Sequence, residues 1–235
     1  MSKCIFCLTV SGQFLSEEHI FPESLGNKTK ILPAGCVCDF CNNGVLSILD
    51  SVFVQFDGIA MMKALHQIPS KHGQLKALFL QDTKIKHRGS GHVEIQLSSN
   101  EQVSSSDNGA QWTSIGRTKL TPSYIKQVAR AILKQAYECA FLDHGPLVLE
   151  GSFDPLREAI LTGKNFDSYL AIKKQVSPDP TKGGCKYIPT SFGGVSGLIA
   201  VSSFFNIQLG TVFPFGSDEG MPLDQFNVIH FSGLD

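Results

Sequence analysis

An α+β fold is predicted, with a small cysteine-rich module at residues 1–56 ahead of a larger mixed domain at 57–235, and three observations predict it. The first forty or so residues are dense in Cys, Gly and Pro and carry no long periodic run, so something other than an apolar core must hold them. Short alternating segments follow, as antiparallel strands require. The stretch "TPSYIKQVARAILKQAYECAFLDHG" then repeats apolar residues at helical spacing. A hydrophobic content of 42% supplies a core of ordinary size. The net charge of -1 removes any field of positive charge over the whole molecule, so contacts to phosphate must come from local patches.

In order, Cys4-x2-Cys7 opens the module and Cys38-x2-Cys41 closes it. Behind it, "GVLSILDSVFVQF" sets Leu46, Leu49, Phe53 and Phe56 on one face and Ile48 and Val52 on a second, which predicts a helix buried on two sides. Gly58 is expected to interrupt it, with a short helix from Ile59 to His66 ending before Pro69. The segments "LKALFLQ", "TKIKHRG" and "GHVEIQLS" read as strands, with "RGSGH" as a hairpin turn. The long helix has Thr121 as N-cap, Pro122 at its first position and Gly145 past its end, with Ile125, Val128, Ile132 and Ala136 on one face. A shorter helix covers "DPLREAILTG", and Gly-punctuated strands run from Tyr187 to Phe231.

Seven cysteines without a secretory signal favour metal over disulfides. Two thiolate pairs at ligand spacing make Cys4, Cys7, Cys38 and Cys41 the expected ligands of a structural zinc ion; Cys36 is the alternative to Cys38, whose spacing matches the first pair. A closed four-thiolate site leaves no coordination position for chemistry. No apolar leader follows Met1-Ser2-Lys3, and "GVSGLIAVSSFF" is too short to span a bilayer, so no membrane is expected and the cytoplasm is the expected compartment.

Between the cysteine pairs lies "SEEHIFPESLG". Hydrolysis of a phosphodiester needs a base for water, a cation for the charge on the phosphoryl group, and ligands that leave positions open on that cation. Glu18, His19 and the amide of Asn42 or Asn43 are the right types, and hard oxygen donors suit Mg²⁺ or Mn²⁺.

The ordered series "CIFC", "SEEHIFPESLGN" and "CVCDFCNN" resembles the HNH endonuclease superfamily, in its cysteine-framed branch with the treble-clef ββα-metal fold. The resemblance covers about the first 55 residues. It implies that His19 is the general base and that Glu18 and Asn42 are ligands of the catalytic divalent metal, with Asn43 the alternative if the register differs by one. It also implies a substrate of DNA, or RNA, and 5′-phosphate and 3′-hydroxyl products. Proteins of this kind act in restriction, homing, phage biology and antiviral defence.

Two positions depart from the family pattern. The middle Asn that fixes the His-bearing loop is missing where Pro33 stands in "KILPAGCVC", and "SLGN" replaces a Gly-Gly turn, with Asn27 expected to supply the left-handed residue. For phosphate contact the candidates are Lys84, Lys86 and Arg88 and the helical stripe Lys126, Arg130 and Lys134, for which a solvated face is the favoured reading. The larger domain is a candidate surface for substrate choice, self-association or a partner protein. The competing reading of the whole chain is a non-catalytic zinc-finger module with a degenerate nuclease site.

Overall fold

The computed structural model describes residues 2–70, 78–80, 83–87, 93–96, 102–106, 109–113, 120–166, 169–174, 183–205, 207–214 and 227–230, and within them the fold is α+β as the pattern predicts. The chain opens with a knuckle in which Leu8 N–H donates to Cys4 O at 2.9 Å and Cys4 N–H donates to Thr9 O at 2.9 Å. A minimal hairpin follows. It is held by Ile20 N–H to Lys30 O (3.0 Å) and Leu32 N–H to Glu18 O (2.9 Å), with His19 opposite Ile31.

The second cysteine pair lies at the start of helix α1 (Asp39–Cys41). That helix runs through a π-helical turn at Asn42–Leu46 into α2 (Ser47–Gln55). The Asp39 carboxylate accepts from Leu15 N (2.9 Å) and Ser16 N (2.8 Å), which fastens the incoming loop to the helix start. Knuckle, hairpin and helix follow one another in treble-clef order. Apolar packing holds this module more than its composition suggests, because Ile5, Phe6, Ile20, Phe21, Leu25 and Leu32 are buried.

The break after α2 falls at Phe56, whose ψ of 125° ends the helix, and α3 (Asp57–Leu65) begins at the next residue. Gly58 is therefore inside α3 instead of interrupting it. A Cβ at Gly58 would lie 2.8 Å from Ile207 Cδ1, so the glycine serves close packing.

Strands β1 (Leu78–Leu80), β2 (Thr83–His87) and β3 (Val93–Gln96) form an antiparallel sheet, and β4 (Gln102–Ser106) pairs with β5 (Gly109–Thr113). The strands expected there are present, while the "RGSGH" turn with Arg88 lies outside the described residues. Helix α4 (Pro122–His144) starts as its sequence requires: Thr121 Oγ1 accepts from Tyr124 N at 3.2 Å and Pro122 opens the first turn. Helix α5 (Asp154–Thr162) ends at Gly163 in the left-handed region.

Strands β6 (Tyr169–Lys174), β7 (Gly184–Phe192), β8 (Val195–Phe204), β9 (Ile207–Phe213) and β10 (Asn227–His230) make a five-stranded antiparallel sheet of order β10-β6-β9-β8-β7. Gly193 and Gly194 (φ 58° and 80°) close the β7–β8 hairpin, where both central residues of such a turn need positive φ.

Helix α4 is the axis of the molecule. The sequence gives it one apolar face, yet Ala129, Ala131, Leu133, Lys134, Gln135 and Glu138 are buried as well, because α2 packs on one side and the five-stranded sheet on another. Tyr137 stacks toward Phe6 (centroids 5.4 Å apart) and its hydroxyl donates to Ile5 O at 2.9 Å. Phe204 of β8 meets Phe21 of the hairpin and Phe53 of α2 edge-on, at 5.2 and 5.5 Å. The apolar core is thus continuous across residue 56, from Cys4 to Phe213.

No single helix among the described residues is long and apolar enough to cross a membrane, although the bent pair Asp39–Gln55 and Asp57–Leu65 passes on length and composition.

Candidate active site

The sulfurs of Cys4, Cys7, Cys38 and Cys41 all lie within 4.8 Å of one another, and Cys7 Sγ is 3.6 Å from Cys38 Sγ. Four thiolates each about 2.3 Å from one zinc ion are about 3.8 Å apart, so this donor set fits a tetrahedral structural site. Cys36 is outside the cluster, which settles the choice between it and Cys38. Burial pushes the Cys36 thiol up, as expected for an inert thiol.

Beside this frame the hairpin and the helix enclose a cleft of about 540 Å³. Glu18, His19, Asn42, Asn43 and Asp50 all line it. Local chemistry explains their convergence. Asn42 lies in the π-helical turn directly after Cys41, and its Nδ2 donates to Glu17 O at 3.1 Å. The amide nitrogen is thereby used on the hairpin, which leaves Oδ1 as the side chain's free acceptor. Asn43 Nδ2 donates in the same way to Ser16 Oγ at 3.1 Å. Gly44, at φ -95° and ψ -113°, kinks the helical run just after this pair.

His19 is half-buried, with Nδ1 enclosed and without a hydrogen-bond partner, so Nε2 is the ring nitrogen available to the cleft. The loop carrying it is pinned by a residue other than the expected one. Asn27 Nδ2 donates to Phe21 O (2.9 Å) and Lys30 O (3.2 Å), and its Oδ1 accepts from Lys30 N (3.1 Å) and Thr29 N (3.3 Å). Asn27 is not the left-handed residue of the turn; Gly26, at φ 88°, takes that conformation. Pro33 lies one residue beyond the Leu32–Glu18 hydrogen bond and does not disturb it. Asn27→Ala is expected to cost about 1–3 kcal/mol of stability, read by thermal melting, because it strips partners from the backbone that holds His19.

The sequence reading missed Asp50. It follows Asn43 and Ser47 down the cleft side of the helix, with Ser51 and Gln55 beyond it, a polar stripe at helical spacing in an otherwise apolar segment. That stripe was the available signal. Burial pushes the Asp50 carboxyl up to about 6, opposed by the charge and hydrogen bond of Lys134. Asp50 keeps 23% of its side chain exposed, while Glu18 keeps 4%.

The reason lies with Lys134, which the sequence groups with a solvated basic stripe. It is fully buried and its Nζ lies 2.6 Å from Glu18 Oε1, 2.8 Å from Asp50 Oδ1 and 3.2 Å from His19 O. Burial alone would lower the pKa of Lys134; the facing carboxylates of Glu138, Asp50 and Glu18 raise it instead, so the ammonium stays charged. Glu138, 3.8 Å away, is pushed well above the usual carboxylate range by burial.

Lys134 is therefore no phosphate contact. Arg130 is not one either, because its Nε and Nη2 donate to Ile160 O (2.9 and 2.7 Å) and its Nη2 also donates to Leu161 O (2.8 Å), satisfying the last carbonyls of α5. Lys126 is half-buried near the start of α4. Lys84 and Lys86 lie on β2.

Among its described residues the cleft is lined by Glu17, Glu18, Glu23 and Asp50 and by no lysine or arginine. It is an acidic site, and a phosphodiester approaches such a site only when a cation offsets the repulsion.

No curated protein and no solved structure matches the chain. Residues 4–55 do match the family model described as HNH endonuclease, and this is the segment that carries the cysteine frame, the Glu18-His19 hairpin and the Asn42 helix start. That match and the clustering of its four thiols make the N-terminal part of this chain similar to HNH endonucleases of the cysteine-framed kind.

Proposed function

We propose that this protein is a divalent-metal-dependent endonuclease that hydrolyses phosphodiester bonds in DNA. What supports the reading above all is that an imidazole, carboxylates and an amide from the hairpin and the helix, His19, Glu18, Asp50 and Asn42, open into one acidic cleft beside the cysteine frame.

In this reading His19 takes the proton of the attacking water on Nε2, the water oxygen bonds to phosphorus, and the bond to the 3′ oxygen breaks, the departing oxygen taking a proton from solvent. The products carry 5′-phosphate and 3′-hydroxyl ends. Glu18 and the Oδ1 of Asn42 are the donors that would hold Mg²⁺ or Mn²⁺, with Asp50 beside Glu18 on Lys134. Bound there, such an ion neutralises charge on the phosphoryl oxygens and the departing oxygen. Asn43, whose Nδ2 is held in the same way by Ser16 Oγ, is the alternative to Asn42.

Incubating plasmid and single-stranded DNA with the purified chain tests this, with Mg²⁺, Mn²⁺ or EDTA and with labelled RNA in parallel. Metal-dependent cutting of DNA is the expected result. Cutting of RNA alone would change the substrate, and no cutting of either with any metal would favour a non-catalytic zinc module.

A further inference from the structure

The matched segment ends at residue 55, yet the residue that joins its polar side chains is Lys134, on a helix that begins at Pro122. An ammonium has three protons to donate. Here there are three acceptors within hydrogen-bond reach, the Glu18 carboxylate, the Asp50 carboxylate and the His19 carbonyl, and all three belong to the nuclease module. Nothing is left over to bind a phosphate. The Lys134 side chain is fully buried, so water does not compete for these bonds. Its position is fixed from behind as well, since α4 packs on α2 and is held to the knuckle by Tyr137 and to β8 by the Ser202 hydroxyl, which donates to Gln135 Oε1 at 2.6 Å.

We propose that Lys134 is a positioning residue of the nuclease centre: a buried ammonium tripod, supplied by α4, that sets the spacing of Glu18, His19 and Asp50. The centre is then completed by the helix and is not autonomous in residues 4–55. The inference rests on the nuclease reading of the cleft. It makes a specific demand, because two consecutive residues of the hairpin and one of α2 must meet around one point. In the hairpin only a single bridge, His19 to Ile31, pairs the strand that bears them. A strand so weakly paired needs a third anchor, and Lys134 bonds both Glu18 and the backbone of His19.

The test uses the full chain with Lys134→Met, which keeps length and apolar stem but no donor, and Lys134→Gln, which keeps donors and loses charge. Zinc content and melting establish that each variant is folded. Single-turnover cleavage with Mg²⁺ is expected to fall about 100-fold in Lys134→Met with DNA affinity little changed, the size of effect that misplacement of reacting groups produces. Lys134→Gln should retain part of the rate. Removing a positive charge beside two carboxylates should at the same time tighten Mn²⁺ binding, measured by calorimetry, by roughly tenfold.

Rate and metal affinity moving in opposite directions is a signature that a purely structural role would not give. A folded Lys134→Met variant that cuts within threefold of the parent, or that loses rate and Mn²⁺ affinity together, overturns the proposal. An inactive parent chain would instead sink the nuclease reading, so the two failures are distinguishable.

Discussion

Metal removal from Cys4, Cys7, Cys38 and Cys41 is expected to unfold the segment 4–55 and erase the cleft while α4 and the five-stranded sheet persist. The regular structure of this segment ahead of α2 is small: a 3₁₀ turn at Glu23–Leu25, one β-bridge, three residues of α1 and the kinked turn at Asn42–Leu46. Ordering so many loop residues is costly in entropy, and binding of zinc to four thiolates contributes about 10–16 kcal/mol toward it. The buried side chains Ile5, Phe6, Ile20 and Phe21 add to this, but Phe6 and Phe21 pack on Tyr137 and Phe204 and so depend on the knuckle and hairpin being in place. Cys41→Ser should act like a chelator, because Cys41 is both ligand and the residue before Asn42. Cys36→Ser should leave one zinc per chain, since its sulfur is outside the cluster. Limited proteolysis with metal analysis checks this: new cuts within 4–55 should appear only in metal-free protein. A metal-free chain as resistant as the loaded one would mean that apolar packing alone holds the module.

What the sequence made legible, and what it did not, divides along the range of the interactions. Local chemistry was readable. Thr121, Pro122 and Gly145 bound α4 where their capping roles put them, and the two Cys-x2-Cys pairs meet because ligand spacing is a property of a few adjacent residues.

Properties set by partners far along the chain were not readable. The spacing of Lys126, Arg130 and Lys134 describes one stripe of a helix, but only the packing of α2 and β8 on α4 turns that stripe inward. Arg130 then serves the end of α5 and Lys134 the acids of the cleft. Asp50 was hidden for the converse reason: it sits in an apolar helix whose period advertises burial, and its role appears only once the hairpin is folded against it. Asn27 shows that a loop can be pinned from a different position when its side chain reaches the same backbone groups.

His19→Ala and Asp50→Asn are expected to abolish cleavage by different routes, and the difference tests the assignment of roles. Losing a general base typically lowers the rate about 10²–10⁴-fold. Alanine at position 19 also leaves the backbone carbonyl that Lys134 holds, so the hairpin, the zinc site and the carboxylates should stay where they are. Mn²⁺ affinity should therefore be close to that of the parent. Asparagine at position 50 keeps the shape of the side chain but removes the charge that faces both the cleft and the Lys134 ammonium. It should weaken Mn²⁺ binding along with the rate, because a negative charge facing the cleft is lost. Calorimetry with Mn²⁺ and single-turnover cleavage, run on both variants at matched zinc content, separate the two. If His19→Ala weakened metal binding as much as Asp50→Asn did, the imidazole would be a ligand and the proton would have to leave the attacking water by another path.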